Sequence, residues 1–283
     1  YQKIIEESPC QFISKQTLEK MYTAAISLAK AVNYQNVGTI EFMVANQPVA
    51  DQSDFYFLEM NTRLQVEHSV TEMTTGVDLV AVQLQIAQTG QLTIKQEDII
   101  QRGHAIECRI YSEDPENNFV PCTGKIKYLE IPKMPFIRVD HALQPDYEVS
   151  PFFDPMQAKV TVFGQNRGLA NAYMQTALKN FHINGITTNV EFLLALIHTE
   201  EFGHGNFHTQ TLTQEFIEQV YKKYKNKEEQ DLTSQEIGAI AATILHYIKK
   251  QNSAYAASKT YEAKKTQKFD SKKNLLWKAQ QWQ

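Results

Sequence analysis

The chain has 283 residues, 42% of them hydrophobic and 21% charged. That composition is close to the globular average, so collagen-like and wholly disordered architectures are excluded, and the length suits two units of about 100–200 residues each. The 11 glycines form neither GxGxxG nor GxxxxGK[ST], which removes a dinucleotide fingerprint and a P-loop. A net charge of −4 argues against nucleic acid as the partner. The charge is unevenly spread: residues 213–283 hold 13 Lys against 8 Asp and Glu, leaving an acidic body and a basic tail. Cys10, Cys108 and Cys122 contain no Cys-x-x-Cys pair, so a reducing compartment is expected. No apolar run reaches the ~18 residues of a membrane span. The stretch opens without Met or a signal-peptide apolar region and is expected to be a piece of a longer chain.

In chain order, Ser14 precedes Leu18, Met21, Ala25, Leu28 and Val32, an apolar spacing that predicts a capped amphipathic helix. Residues 37–44 and 54–60 read as strands joined through Asn46-Gln47-Pro48 and 51–53 into a hairpin. A helix is expected over 78–88, stopping near Gly90. Short strands are expected over 104–112, 125–131, 136–140 and 159–163, then helices over 166–181 and 189–197. All nine prolines lie at or before Pro155, so the remainder is free to be helix-rich. From Gln214 the chain reads as charged helix, and 236–250 carries an apolar stripe (Ile237, Ile240, Ala241, Ile244, Leu245, Ile248). The last 30 residues, with two Lys-Lys pairs, read as a linker or a partner-dependent helix.

The chemistry concentrates in residues 57–68, FLEMNTRLQVEH. Read as extended chain, alternation sends Glu59, Asn61, Arg63, Gln65 and Glu67 to one face, and Leu58, Met60, Thr62, Leu64 and Val66 to a mostly core face. Glu41, on the preceding strand, then comes near Glu59. Two carboxylates and an amide oxygen are hard ligands of the kind Mg²⁺ takes beside phosphates. A polar strand face is, by itself, more often plain solvent-exposed surface.

The run Glu-Met-Asn-Thr-Arg-Leu-Gln-Val-Glu-His resembles the signature of biotin carboxylase, the ATP-grasp component of biotin-dependent carboxylases. So do Val70-Thr71-Glu72-Met73, Thr75–Leu79, Gly103–Ile110, Glu113-Asp114-Pro115, Phe153–Met156 with Lys159, Asn184–Asn189 and Phe202–Gly205 with His208-Thr209. The resemblance runs over about residues 2–217. It implies an α+β fold: the C-terminal part of an ATP-grasp domain (antiparallel sheet with helices) over 1–102, a biotin carboxylase C-terminal α+β domain over 103–217, and a helical linker or start of a subunit-contact region over 218–283. The implied activity is ATP- and bicarbonate-dependent carboxylation of biotin through carboxyphosphate, a C–N ligase reaction, within an acyl-CoA carboxylase of the propionyl- or methylcrotonyl-CoA α-subunit type. Two alternatives stand beside it: a non-catalytic docking module of the carboxylase, and a different ATP-grasp ligase such as a carbamoyl-phosphate synthase.

By the same resemblance, Glu41, Glu59 and Asn61 surround the metal (Mg²⁺ or Mn²⁺), with Lys3, Glu41 and Glu59 at the nucleotide. Lys3, Arg63, Gln65, Val66 and Arg109 bind bicarbonate or biotin; Glu67 is the base, and Arg109 stabilises the biotin enolate, with Arg63 beside them. Tyr1 stands where the family usually has His. Arg138 and Asp154 fall in stretches near the family's dimer interface, though a local salt bridge explains them equally well. For His68 and His104 a structural role is expected, for Cys108 a place in the core, and for 192–197 helix packing. The glycine-rich lid would lie upstream and no Met-Lys-Met biotinylation site occurs, so this stretch alone is expected to be inactive. The implied partners are a biotin carboxyl carrier domain, a carboxyltransferase subunit, and a homodimer or larger hetero-oligomer, with no nucleic acid or membrane. The implied location is the cytoplasm, or the mitochondrial matrix in a eukaryote.

Overall fold

The computed structural model describes residues 3–45, 54–231, 236 and 238–250. Two compact units divide the chain, Tyr1–Lys222 and Lys223–Gln283. The first is an α+β fold. Strand β1 (Ile5–Ser8) leads to helix α1 (Lys15–Ala31), whose N-cap Ser14 accepts the Thr17 amide. That bond satisfies one of the donors a helix leaves open at its start. Strands β2 (Thr39–Val44) and β3 (Phe55–Asn61) pair antiparallel. Helices α2 (His68–Thr75) and α3 (Leu79–Thr89) follow. Asp78 caps α3 and Gly90 ends it in the left-handed region.

Strand β4 (His104–Tyr111) is buried along its whole length. Short pairs then build the rim. Strand β5 (Glu113–Asp114) pairs with β6 (Val120–Pro121), β7 (Gly124–Lys125) with β10 (Glu148–Val149), and β8 (Tyr128–Glu130) with β12 (His182–Asn184). Two longer strands, β9 (Ile137–His141) and β11 (Met156–Gly164), join the main sheet. Helices α4 (Arg167–Lys179), α5 (Val190–Ile197), α6 (Glu200–His204) and α7 (Gln214–Asp231) complete the chain order. The main sheet is antiparallel with order β1-β4-β11-β9. Gly103 enters it at φ 61°, and a Cβ there would stand 2.5 Å from the Gly164 carbonyl, so only glycine fits.

Pairing register separates the two faces of this sheet. Cys108 lies opposite Val160, and Arg109 opposite Lys159. One face therefore presents Ile106, Cys108, Ile110, Val160 and Val162, and buries them with Ala170, Met174, Leu178 and Leu193 of α4 and α5. At about 1.5–3 kcal/mol for each fully buried large aliphatic side chain, this face drives the folding. The other face presents Glu107, Arg109, Lys159 and Thr161, and α2 packs over it.

Three expectations need correction. The stretch 125–131 is not one strand: Lys125 pairs with Glu148, whereas Tyr128 pairs with Asn184. Buried Ile126 donates to the Tyr147 carbonyl and Lys127 to that of Asn184, so the chain changes partner at this point. Segments 5–8 and 68–75, read neither as strand nor as helix, form β1 and α2. The side of β3 expected to be core is open: Leu58 is 54% exposed, because a two-stranded ribbon carries no third element over that face among the described residues. Helix is present over 238–250, where Ile240, Ile244, Leu245 and Ile248 are exposed. The hairpin link at 46–53 and the tail from 251 lie outside the described residues.

Beside the apolar core sits one charged cluster. Arg167 holds Glu7 with two bonds, Nε to Oε2 at 2.7 Å and Nη2 to Oε1 at 2.9 Å, and His104 Nε2 lies 2.8 Å from the same Oε2. The guanidinium also lies over the rings of Phe12 and Phe202. Burial pushes the Glu7 carboxyl up, but its bonds to His104 and Arg167 outweigh this and hold it below the ordinary range. An Arg in the first turn of a helix faces an unfavourable dipole, so its place at the start of α4 depends on Glu7. Arg167→Ala would strand a largely buried carboxylate and is expected to cost about 3–5 kcal/mol. Urea denaturation with an unchanged m-value checks this, and a loss below about 1 kcal/mol, the scale of a surface pair, would contradict it.

Candidate active site

Strand β3 ends at Asn61, and residues 62–67 turn instead of continuing as strand. The turn is closed by the His68 amide on the Gln65 carbonyl and the Val70 amide on that of Glu67. The reason lies beneath it. Ser69 of α2 hydrogen-bonds buried Glu107, and Glu72 pairs with Arg138 at 2.5 Å, so the helix must start here to satisfy the charged sheet face. Side-chain alternation therefore fails beyond Asn61, yet the turn carries Gln65 and Glu67 back to the same region.

The contacts form one continuous line. Glu41 lies directly opposite Glu59 in the hairpin register. Asn61 Nδ2 donates to Glu41 Oε1 at 3.0 Å and to Glu59 Oε1 at 3.1 Å. Gln65 Nε2 donates to Glu41 Oε1 at 2.8 Å, and Lys3 Nζ to the same oxygen at 2.5 Å. Lys3 Nζ also stands 3.7 Å from Glu67 Oε1, and Arg109 Nη2 bonds Glu67 Oε2 at 2.8 Å. Two expected members sit differently. Arg63 reaches Asn61 Oδ1 at 3.3 Å and the Leu64 carbonyl at 3.2 Å, at the exposed edge. Val66 offers its carbonyl inward to Lys159 Nζ at 2.7 Å.

The electrostatics follow from these pairs. The Lys3 hydrogen bond holds the Glu41 carboxyl below its ordinary value. Burial pushes the Lys3 ammonium down, but the bond and charge of Glu41 outweigh it and the net shift is upward. Burial pushes the Glu107 carboxyl up. Among the described residues no three His, Cys, Asp or Glu side chains cluster as a metal site. Glu41 and Glu59 place carboxylate oxygens on either side of the Asn61 amide nitrogen, while Asn61 Oδ1 accepts from Arg63.

Several residues that build the site escape pattern reading. Lys159 and Glu107 each interrupt an apolar strand, Lys159 between Ala158 and Val160 and Glu107 between Ile106 and Cys108. A charged residue in a buried run is itself the signal, because it must find a partner. Glu6 gives no such signal, since β1 is too short to show alternation. A cavity of about 680 Å³ starts at Lys3 and Glu6 and runs along β1 to an aromatic wall of Phe12, Phe202 and Phe207.

The residues assigned structural roles are placed as follows. His68 opens α2, with Nδ1 2.8 Å from the Gln65 carbonyl. It points away from Glu67 because of helix geometry, not strand alternation. His104 and Cys108 are buried, as are residues 192–197. Arg138 pairs with Glu72 and Asp140, and Asp154 accepts the Met156 amide. Tyr1 lies outside the described residues.

Residues 107–214 match the family model of the biotin carboxylase C-terminal domain, and residues 1–95 that of the carbamoyl-phosphate synthase L chain ATP-binding domain. The chain is 44% identical over 211 residues to biotin carboxylase 1 of Bacillus subtilis (strain 168), covering 75% of this chain and 46% of that protein. It is 44% identical over 223 residues to the mitochondrial methylcrotonoyl-CoA carboxylase subunit alpha of Rattus norvegicus, covering 78% of this chain and 30% of that protein. A crystal structure of the biotin carboxylase domain dimer of Hydrogenobacter thermophilus 2-oxoglutarate carboxylase, with MgADP, ADP and bicarbonate, superposes with a TM-score of 0.69 at 37% identity. It covers 78% of this chain and 47% of that one. The chain thus spans about half the length of the biotin carboxylases it matches, and less of the longer alpha subunit.

The bond from Lys159 to the Val66 carbonyl ties the turn to the sheet. Lys159→Met keeps the buried stem and removes the donor. It is expected to speed amide exchange across 65–68 about tenfold or more, the equivalent of one charge-assisted bond. Unchanged protection there, read by hydrogen exchange, would show that Lys159 does not hold the turn.

Proposed function

The chain belongs to the biotin carboxylase family, and on that premise we propose that the intact protein carboxylates biotin held on a carrier domain, using ATP and bicarbonate. One observation carries the reading: Glu67 is held by Arg109 and faced by Lys3, next to the Glu41–Glu59–Asn61 group. A base, two cations and a hard-ligand set within one line of contacts suit a reaction that joins an anion to a phosphoryl group.

In this reading Glu67 takes the proton from the bicarbonate hydroxyl, and the oxygen keeps the electron pair and attacks the γ-phosphorus as ADP leaves. Carboxyphosphate then separates into CO₂ and phosphate; the released phosphate takes the proton from N1′ of biotin, and the N1′ electron pair forms the new bond to CO₂. Arg63, Gln65 and the Val66 backbone hold bicarbonate, with Lys3 neutralising its charge; a planar guanidinium suits a planar oxyanion. Arg109 stabilises the negative charge that develops on biotin. Glu41, Glu59 and Asn61 would hold Mg²⁺ or Mn²⁺, which supplies neutralisation of phosphate charge. The aromatic-walled cavity beside Lys3 suits the flat base of the nucleotide.

We divide the chain into an ATP-grasp part at 1–102, a C-terminal domain at 103–217, and a linker or subunit-contact region from 218; the family-model matches over 1–95 and 107–214 support this division. The match over 107–214 favours biotin carboxylation over another ATP-grasp ligase, since a shared ATP-binding part alone would leave both open. We favour the α subunit of a propionyl- or methylcrotonyl-CoA type carboxylase, a reading supported by the 44% identity to the methylcrotonoyl-CoA carboxylase subunit alpha. It would act with a carrier domain and a carboxyltransferase subunit, as a dimer or larger assembly. The location is the cytoplasm, or the mitochondrial matrix in a eukaryote. No helix among the described residues is long and apolar enough to cross a membrane.

Glu67→Gln in the intact protein is expected to lower bicarbonate-dependent ATP cleavage about 10²–10⁴-fold, the range of a lost general base, while ATP binding by calorimetry persists. Undiminished turnover would remove the assignment. The 283-residue chain alone is expected to show little or no bicarbonate-dependent ATPase activity, and robust activity with free biotin would contradict this.

A further inference from the structure

Arg109 is gripped by more than the base. Its Nη2 donates to Glu67 Oε2 at 2.8 Å and also to Glu6 Oε1 at 3.1 Å. The pairing of β1 with β4 sets Glu6 opposite Glu107, and the Arg109 amide donates to the Ile4 carbonyl at 3.0 Å. Glu6 is thus fixed by backbone on the sheet face that carries Glu107 and Arg109. Arg109 Nε, by contrast, is buried without a hydrogen-bond partner, 3.8 Å from Glu107 Oε1. The guanidinium therefore takes its orientation chiefly from Nη2, with a further side-chain bond to Tyr111.

We propose that Glu6 is the positioning residue for Arg109: a second carboxylate on the same Nη2 that keeps the guanidinium in place when Glu67 loses its charge. The inference rests on the biotin carboxylation reading, in which Glu67 becomes protonated during the cycle. A neutral acid holds a guanidinium far more weakly than a carboxylate does. With only Glu67 on Nη2, Arg109 would loosen at the moment its positive charge is needed at biotin. Glu6 belongs to a different element from Glu67, so protonating the base does not move it.

The groups that face Glu6 are Lys3 ahead of β1, Glu67 at the start of α2, and Glu107 and Arg109 on β4. Burial first, and the charge of Glu67 second, push the Glu6 carboxyl up to about 7 against the pull of Arg109 and Lys3. When Glu67 becomes neutral, the push from its charge is gone, and Glu6 keeps its own negative charge beside Arg109 and Lys3 more readily. The sign is fixed: the fold favours neutral Glu6, so this stabilisation is complete below the ordinary 4.5 and is lost as pH rises through about 7.

The test uses Glu6→Ala and Glu6→Gln in the intact protein, with free biotin as the probe. Glu6→Ala is expected to raise the biotin KM or lower biotin kcat about tenfold, the scale of one lost charge-assisted bond, while biotin-independent ATP cleavage with bicarbonate stays within about twofold. Glu6→Gln keeps an acceptor for Nη2 and mimics the neutral acid. It is expected to recover most of the loss at pH 6, to lack the inflection near pH 7 in biotin kcat/KM, and to flatten the stability change between 4.5 and 7. If Glu6→Ala does not fold, these Glu6→Gln measurements decide alone. An equal loss in both reactions with an unaltered pH profile would mark Glu6 as merely structural, and wild-type behaviour of both variants would also overturn the proposal. Absence of bicarbonate-dependent ATP cleavage from the unsubstituted protein would overturn the underlying reading instead.

Discussion

A carboxylate with no exposed surface sits in the middle of the main sheet, and the architecture of the site follows from pairing it. Glu107 is wholly buried, with Lys159 Nζ and Arg109 Nε each 3.8 Å away. Two cations flanking one acid leave one positive charge over, and Glu6, Glu67 and Asp140 pair with them and more than offset it. Desolvating an ion costs several kcal/mol unless charges and hydrogen bonds offset it, so none of these groups is free to leave. Helix α2 supplies what the strands lack. Its Ser69 hydroxyl bonds Glu107, its Glu72 bonds Arg138, and Glu67 at its start bonds Arg109. Glu67 is thus held by ion pairing with the cations of the sheet face, and its position is a consequence of packing.

The two faces of that sheet divide the work. The aliphatic face against α4 and α5 contributes burial without specifying direction, because hydrophobic contact is non-directional. The charged face contributes little net stability, since desolvation cancels most of the Coulomb gain, but its hydrogen bonds are directional and fix the orientation of each group. A site needs the second kind of interaction and depends on the first to sustain it. The Glu7–Arg167–His104 cluster joins them: it ties β1 to the start of α4, so the strand that carries Glu6 and follows Lys3 is locked to the core.

Much of this was legible in residues 57–68, but for a partly mistaken geometrical reason. The approach of Glu41 to Glu59 required only two antiparallel strands of the right length, and hairpin register is a local property. The assumption that alternation continues to Glu67 failed because the chain must turn at 62–67 to deliver Ser69 and Glu72 to partners roughly forty to ninety residues away in sequence. Arg63 consequently lies at the edge beside Asn61, whereas Gln65 returns to Glu41. Long-range demands of that kind leave no trace in a window of ten residues. Their only local mark was the charge embedded in apolar strands at Glu107 and Lys159. The short β1 was illegible for a different cause: Ile5-Glu6-Glu7-Ser8 makes sense only against a strand about a hundred residues on.

The division of charge around Lys3 shows why the site tolerates so many acids. Glu41, Glu59, Glu67 and Glu6 lie along one line of contacts, and among the described residues only Lys3 and Arg109 make direct ion pairs with members of it. Lys3 stands 2.5 Å from Glu41 and 3.7 Å from Glu67, so it belongs chiefly to the ligand pair and only secondarily to the base. Arg109 divides in the same way, nearer Glu67 than Glu6. Each cation thus bridges two acids unequally, and the more distant one is the less compensated: Glu67 beside Lys3, and Glu6 beside Arg109, where burial and the charge of Glu67 push the Glu6 carboxyl up to about 7. An acid excess of this kind is costly when the site is alone. In the proposed reaction it would let a divalent cation find hard ligands at one end and a proton find an acceptor at the other, because attraction for a cation scales with the charge left unneutralised.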